Sequence, residues 1–346
     1  MTAQNATFRH QNSALLAVKA HLAPLVVTSE EIDSRLAEAL TRLRLPTGLL
    51  QRVAGVISRR NWDESEGGGG MTFDGAAAAA AKSALAEANV DPSEVGLLIN
   101  TSVTRKHLEP SVAVGIHHAL GLPPSAMNFD ITNACLGFVN GMTLASQMID
   151  SGQIKYAVIV DGEDSNEIQA NTINRLSQPG ISRKDFVNEF ASLTLGSGAA
   201  AAVIGPADAH PEGHRIMGGI SRAGTEHHLL CVGDKDGMFT HTKELLAGGM
   251  ALVVEAWKEA KSSWDWQKMD RYILHQVSDV HTDSIVKAAK LDRKKIPLTY
   301  PIFGNVGPAS LPMTLALEVE KLVKGQRVLC MGVGSGINTA MTEIVW

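Results

Sequence analysis

The sequence predicts an α/β protein made of two similar halves, each a helix-covered sheet. Two observations carry this. Short apolar runs alternate with helical segments along 346 residues that are 45% hydrophobic and 19% charged, enough to bury a large core. A segment also recurs: Met142-Thr143-Leu144-Ala145 returns as Met313-Thr314-Leu315-Ala316. Each copy is followed by Gly-Gln, at Gly152-Gln153 and Gly325-Gln326, and then by an apolar strand, Tyr156 to Val160 and Arg327 to Val333. Upstream, Gly96 to Val103 has its counterpart in Arg271 to Val277. Ordered agreement over strand, helix, Gly-Gln and strand predicts a duplicated unit. We place the join near residues 180 to 190, with one half at 1–187 and the other at 188–346. Paired units of this kind bury both sheet faces and gather functional groups where corresponding turns meet.

The elements follow in order. Ala14 to Leu25 reads as a strand region, and Thr28-Ser29-Glu30-Glu31 has the capping-box form that opens a helix towards Leu43. Glu66 to Gly70, with four consecutive glycines, predicts a loop, and Ala76 to Ala88 an alanine-rich helix. Gly96 to Val103, Asn128 to Thr132 and Tyr156 to Val160 fit buried parallel strands. A helix is expected from about Cys135 to Ile149, with apolar residues on most faces, and a loop over Ser165 to Asp185. Thr339 to Trp346 closes the chain as a strand.

Composition excludes several functions. A formal charge of −5 gives no general attraction for phosphate backbones or anionic lipid, so no nucleic-acid partner is expected. No apolar run is long enough to span a bilayer, and Met1 to Ser13 is too polar for a signal peptide, which predicts a soluble cytoplasmic protein. Cys135, Cys231 and Cys330 are widely spaced and odd in number, so neither a disulfide framework nor a zinc site follows. The doublets His117-His118 and His227-His228 fit no metal-ligand spacing, and no metal or cofactor is expected.

Cys135 stands between a strand and a helix in Asn133-Ala134-Cys135-Leu136-Gly137-Phe138. A thiol at a helix N-terminus feels the positive end of the macrodipole, which favours thiolate, and Ala134 and Gly137 leave room for substrate. Taken alone, a single cysteine reads more readily as a small buried hydrophobe than as a nucleophile. The repeat argues against that. The corresponding turn of the second half is Phe303-Gly304-Asn305-Val306-Gly307-Pro308-Ala309-Ser310, and a preceding strand ends at His275-Gln276. The turn Gly332-Val333-Gly334-Ser335-Gly336 also suggests a dinucleotide loop. That motif requires a following helix and a distant acidic residue, whereas a closing strand follows here.

Ala134-Cys135 with Gly137-Phe138, His275-Gln276-Val277-Ser278, Gly304-Asn305 with Ala309-Ser310, and Gly332 to Gly336 together resemble the thiolase-fold ketoacyl synthases of the type III branch, in order and spacing over nearly the whole chain. The resemblance implies a five-layered αβαβα architecture and a homodimer. It implies that Cys135 accepts the acyl group, that His275 and Asn305 hold the thioester oxygen of a second substrate, and that the backbone N–H groups of Cys135 and Ser335 form an oxyanion hole. Acyl transfer and Claisen condensation pass through different anions, so two donor sets make chemical sense.

Leu108-Glu109-Pro110-Ser111 places a carboxylate where type III synthases usually carry an apolar residue. In this, and in Gly96 to Val103, Asp161-Gly162-Glu163 and the ending Glu343 to Trp346, the chain resembles the OleA-type thiolases, which join two long-chain acyl-CoA molecules head to head, without decarboxylation, in olefin biosynthesis. The resemblance implies that Glu109 acts across the dimer interface as the base that removes the α-proton. Three other readings stand beside this one. The first is a decarboxylative synthase using malonyl-acyl carrier protein, and the second is acyl transfer to oxygen or nitrogen. The third is a catalytically silent acyl-binding protein. Acyl-CoA is the expected substrate, with acyl carrier protein or downstream enzymes as further partners.

Overall fold

The computed structural model describes residues 7–63 and 70–346. The first half contains β1 (Thr7–Arg9), β2 (Ser13–Leu22), β3 (Leu25–Thr28), α1 (Ser29–Arg35), α2 (Ala37–Arg42), β4 (Ser58–Asn61), α3 (Phe73–Glu87), β5 (Val95–Asn100), α4 (Val112–Leu120), β6 (Met127–Asp130), α5 (Gly137–Asp150), β7 (Tyr156–Glu163), α6 (Asn166–Leu176), α7 (Arg183–Glu189) and β8 (Gly198–Pro206). The second follows with β9 (His214–Ala223), β10 (Cys231–Gly233), β11 (Met238–Thr240), α8 (Thr242–Ala260), β12 (Arg271–Leu274), α9 (Asp279–Ala289), α10 (Tyr300–Phe303), α11 (Ser310–Glu318), β13 (Arg327–Gly334) and β14 (Asn338–Val345).

Local chemistry sets several of these boundaries. Thr28 Oγ1 accepts from Glu31 N at 3.1 Å and the Glu31 carboxylate accepts from Thr28 N, the reciprocal cap expected at α1. The helix does not run on to Leu43 unbroken. Leu36, at φ −101° and ψ 6°, leaves helical geometry and divides it into α1 and α2. The alanine-rich helix begins earlier than expected, at Phe73, and its buried face of Ala77, Ala80, Ala81 and Ala84 packs against Ala199 and Ala201 of β8. Small side chains on both surfaces let helix and sheet approach closely. Apart from Gly70, the loop expected at Glu66 to Gly70 lies outside the described residues.

The duplication is visible in the pairing. One half runs β6-β5-β7-β8-β2, the other β12-β13-β14-β9 with β1 on the outer edge of β9. The order and sense repeat: β5 and β7 are parallel, as are β12 and β13, whereas β7/β8/β2 and β13/β14/β9 are antiparallel. β2 and β9 meet at Ala14–Arg215 and Leu15–His214, joining the halves. β8 pairs with β2 and β7, so the first half extends past the expected division at 187/188 to Pro206. The segment Ser165 to Asp185, expected as loop, instead supplies α6 and the start of α7, which pack with α1 and α2 through Ile32, Leu36, Ile173, Leu176 and Phe186.

Three apolar clusters define five layers. α3 and α4 cover the outer face of the first sheet. α8 and α9 cover the outer face of the second. Between the sheets, α5 and α11 share a cluster that includes Leu97, Ile159, Ile273 and Cys330. The αβαβα arrangement places the N-terminal ends of the two central helices beside the strand ends that carry the candidate groups. Among the described residues, no helix is long and apolar enough to cross a membrane.

Candidate active site

β5 and β7 end side by side, and the chain turns into α5 just beyond β6. Ala134 takes φ +44° in that turn, a left-handed conformation uncommon for a residue with a Cβ. Gly137 then brings the helix start against β5, since a Cβ there would lie 2.8 Å from the Thr101 carbonyl oxygen. The opposing wall comes from the second half. A Cβ on Gly332 would fall 2.4 Å from Leu136 Cδ2, and one on Gly334 3.1 Å from the Asn133 carbonyl oxygen. Asn338 Nδ2 donates to Asn133 Oδ1 at 3.0 Å. Ser335 thus follows directly from a turn pressed onto the Cys135 segment. Cys231 joins the same region by a hydrogen bond with the Ser335 side chain and a contact of 3.5 Å from its sulfur to Thr240 Oγ1.

The electrostatics at Cys135 differ from the helix-dipole expectation. α5 begins at Gly137, two residues beyond the sulfur. Burial pushes the thiol up from its ordinary value, and the neighbouring Cys231, Glu163 and Asp161 push the same way. Desolvation outweighs the helix field, and Cys135 rests as a thiol.

Asp161 and Glu163 are the groups the sequence reading passed over as functional. Two positions apart on β7, they point to one side of a fully buried strand. The Glu163 carboxylate accepts from Val103 N at 2.6 Å, Thr104 N at 3.1 Å and Thr104 Oγ1 at 2.5 Å. Thr101 Oγ1 donates to Asp161. Burial lifts Glu163 to about 7, and burial with the Glu163 charge lifts Asp161 well above its ordinary range. The pair therefore keeps a proton where isolated carboxylates would not. The available signal was an Asp-x-Glu alternation at the end of an otherwise apolar strand.

His275 extends from the end of β12 and is 3% exposed. Its backbone N donates to Met331 O at 2.9 Å, which fixes it beside β13. Burial, then the neighbouring His281, push its imidazole down to about 3, so it is neutral at pH 7. Its Nδ1 is buried without a partner. Gln276 ties this strand end to the next turn: its Nε2 donates to Leu274 O at 3.0 Å, and its Oε1 accepts from Thr299 N at 2.9 Å. α10 follows immediately and leads to Asn305. Asn305 N donates to Thr194 O at 2.9 Å, and its backbone oxygen accepts from Gly196 N at 3.0 Å. The side-chain oxygen is engaged by Gly307 N at 3.0 Å, which leaves the amide NH2 as the group that can donate, with no bond to it among the described residues. Gly304 has φ +68°, and a Cβ there would lie 2.5 Å from Thr194 O, so this turn requires glycine.

Ser335 thus lies against the Cys135 segment, while Gln276 ties the strand end that carries His275 to the turn that leads to Asn305. Within one chain Glu109 does not join them. It is exposed on the connection between β5 and α4, next to Leu108, which is 99% exposed.

Residues 129–223 match the family described as 3-oxoacyl-(acyl-carrier-protein) synthase III, and residues 260–346 match its C-terminal part. An acyl-CoA:acyl-CoA alkyltransferase of Xanthomonas campestris is 41% identical over 94% of this chain and 97% of its own. The chain belongs to the thiolase-fold synthase III family, in its OleA-type branch. A Shewanella oneidensis acyl-CoA:acyl-CoA alkyltransferase is 34% identical over 94% of this chain and 96% of its own. A crystal structure of Xanthomonas campestris OleA, a Cys-to-Ser variant with bound lauric acid and lauroyl-CoA, superposes with a TM-score of 0.93 at 40% identity, covering 97% of this chain and 99% of that one. This OleA-type protein is an acyltransferase of the thiolase superfamily, and its αβαβα fold is the thiolase fold.

The neutral His275 of this thiolase-fold enzyme has a measurable consequence. Below pH 6.5 the unfolded chain takes up a proton at this position that the folded chain refuses until about pH 3. Each pH unit in that window removes about 1.4 kcal/mol of folding stability. His281 and His214, both pushed down to about 4, act in the same direction. The unfolding midpoint is expected to fall as pH drops from 7 to 5, less steeply in His275→Gln. Equal slopes in the two proteins would contradict a neutral buried His275.

Proposed function

We propose that this enzyme joins two acyl-CoA molecules by non-decarboxylative Claisen condensation, with Cys135 carrying the first acyl group. Cys135 Sγ attacks the first thioester carbonyl as its proton leaves. The backbone N–H groups of Cys135 and Ser335 receive the oxyanion, and CoA departs as thiol. The carbonyl oxygen of the second acyl-CoA accepts hydrogen bonds from His275 and from the Asn305 amide. Glu109 of the partner subunit removes its α-proton, and the resulting enolate attacks the acyl-Cys135 carbonyl. The new C–C bond forms as the C–S bond breaks, releasing a 2-alkyl-3-ketoacyl-CoA and returning the cysteine.

The observation that carries this reading is the donor pair of the second half. With its oxygen held by Gly307 N, Asn305 offers hydrogens to an incoming oxygen, and the neutral imidazole of His275 offers its N–H without placing a full charge in the site. Such a pair, separate from the Cys135 and Ser335 backbone, suits an enolate oxygen. The lauroyl-CoA bound to Xanthomonas campestris OleA supports CoA thioesters as substrates. The homodimer is supported by β6, which ends the sheet, and by exposed Leu108, Val114 and Met127 around it. We place the reaction in the cytoplasm and infer that the product passes to downstream enzymes.

The test supplies lauroyl-CoA alone and follows free CoA, protein mass and product. The expected result is a lauroyl adduct on Cys135 and two CoA released for each condensed thioester subsequently hydrolysed. Condensation only when malonyl-acyl carrier protein is added would replace this reading with the decarboxylative one. Absence of any adduct would indicate a silent acyl-binding protein.

A further inference from the structure

Arg59, on β4, is 0% exposed, yet among the described residues its guanidinium bonds no carboxylate directly. Nη1 donates to Ser29 Oγ at 3.2 Å and towards Val27 O at 3.4 Å, Nη2 donates to Leu193 O at 3.0 Å, and Nε is buried without a partner. Asp33 and Glu31 compensate the charge through space. A buried charge of this kind is a poor source of stability, because well-packed apolar residues of similar volume commonly serve as well or better. Its position suggests another use.

The segment Leu193 to Gly196 is held from two sides. Arg59 grips the Leu193 carbonyl, and Asn305 engages the next residues, donating to Thr194 O and accepting from Gly196 N. The stem of Arg59 also sits under the Asn305 turn: its Cβ lies 3.2 Å from where a Gly304 Cβ would be and 3.3 Å from that of Gly196. β4 runs alongside α10, with Ile57 N donating to Pro301 O at 2.8 Å and Ser58 Oγ to Ile302 O at 3.1 Å. Arg59 thus reaches from β4 to the 193–196 backbone that holds Asn305, beside the Ser58 contact to α10.

We infer that Arg59 is a positioning residue for the condensation half-reaction, fixing the Asn305 amide by clamping the 193–196 segment against β3 and the start of α1. The inference rests on the proposed role of Asn305. A planar fork reaching both a carbonyl and a hydroxyl cannot be copied by an ammonium, so lysine preserves charge and loses the clamp.

The test compares wild type, Arg59→Lys, Asn305→Ala and the double variant in two assays: the rate of Cys135 acylation by intact mass, and the rate of condensed product from the pre-acylated enzyme. Arg59→Lys is expected to leave acylation within about threefold and to slow condensation at least about tenfold. In the Asn305→Ala background the same change is expected to cost almost nothing further, because the residues act as a unit. Ser29→Ala removes one partner of the fork with less disturbance and is expected to slow condensation in the same selective way. Equal losses in both assays, or a full additional loss on top of Asn305→Ala, would overturn the assignment. A wild-type enzyme that acylates but never condenses lauroyl-CoA would instead defeat the functional reading itself.

Discussion

Cys135→Ala is expected to abolish acylation and condensation together, lowering product formation by about 10⁴-fold or more. In the proposed reaction both half-reactions pass through one sulfur, which receives the first acyl group and leaves in the second step. No other group on the same path can replace it. Cys330 is fully buried in the central layer, and Cys231 is held by Thr240 and Ser335. Lauroyl-CoA should leave the mass of the alanine variant unchanged while wild type gains one acyl group. Because burial holds the Cys135 thiol above its ordinary range, alkylation of wild type at pH 7 is expected to be slow and to accelerate with rising pH. An acyl adduct on the alanine variant would remove Cys135 from the mechanism.

The elevated thiol marks where sequence stopped informing. The duplication was readable because it rests on strand order and on matched strings, and β5, β7, β12, β13 and the central helices occupy corresponding places in the two halves. Cys135, His275, Asn305 and Ser335 were readable as motifs, and the fold presses the Ser335 turn onto the Cys135 segment and ties the His275 strand end to the turn before Asn305. Burial was not readable. A helix dipole can be anticipated from a strand–cysteine–helix pattern, but the burial that outweighs it, and the added push from Cys231, Glu163 and Asp161, come from residues distant along the chain, these three lying 26 to 96 positions away. The helix start was misplaced for a local reason, since Gly137 is where the backbone can pass against Thr101. The halves divide after β8 because that strand pairs within the first sheet, a fact of hydrogen-bond partners that its alanine-rich sequence does not announce. The segment 165–185 read as loop because its polar residues hide the face that α6 and α7 bury against α1 and α2.

Glu109→Ala is expected to leave acylation of Cys135 intact while lowering condensation about 10²- to 10⁴-fold, the usual contribution of a positioned general base. The single chain holds Glu109 in the open, beside the fully exposed Leu108 and on the connection that precedes α4, so the proposed role of Glu109 calls for a second subunit. Mixing inactive subunits tests this. In a heterodimer of Cys135→Ala and Glu109→Ala chains, the Glu109→Ala subunit keeps its cysteine and receives the glutamate of its neighbour, while the other site lacks both groups. Random co-assembly makes half the dimers mixed, so about a quarter of wild-type condensation should return if the dimer is two-fold symmetric. Were Glu109 to act within its own chain, every cysteine in the mixture would face an alanine at 109 and activity would stay absent. Recovery also requires the two subunits to dock, since each complete site draws its cysteine and its glutamate from different chains. Restored activity should therefore follow dimer formation, disappearing on dilution below the dissociation constant and returning on concentration.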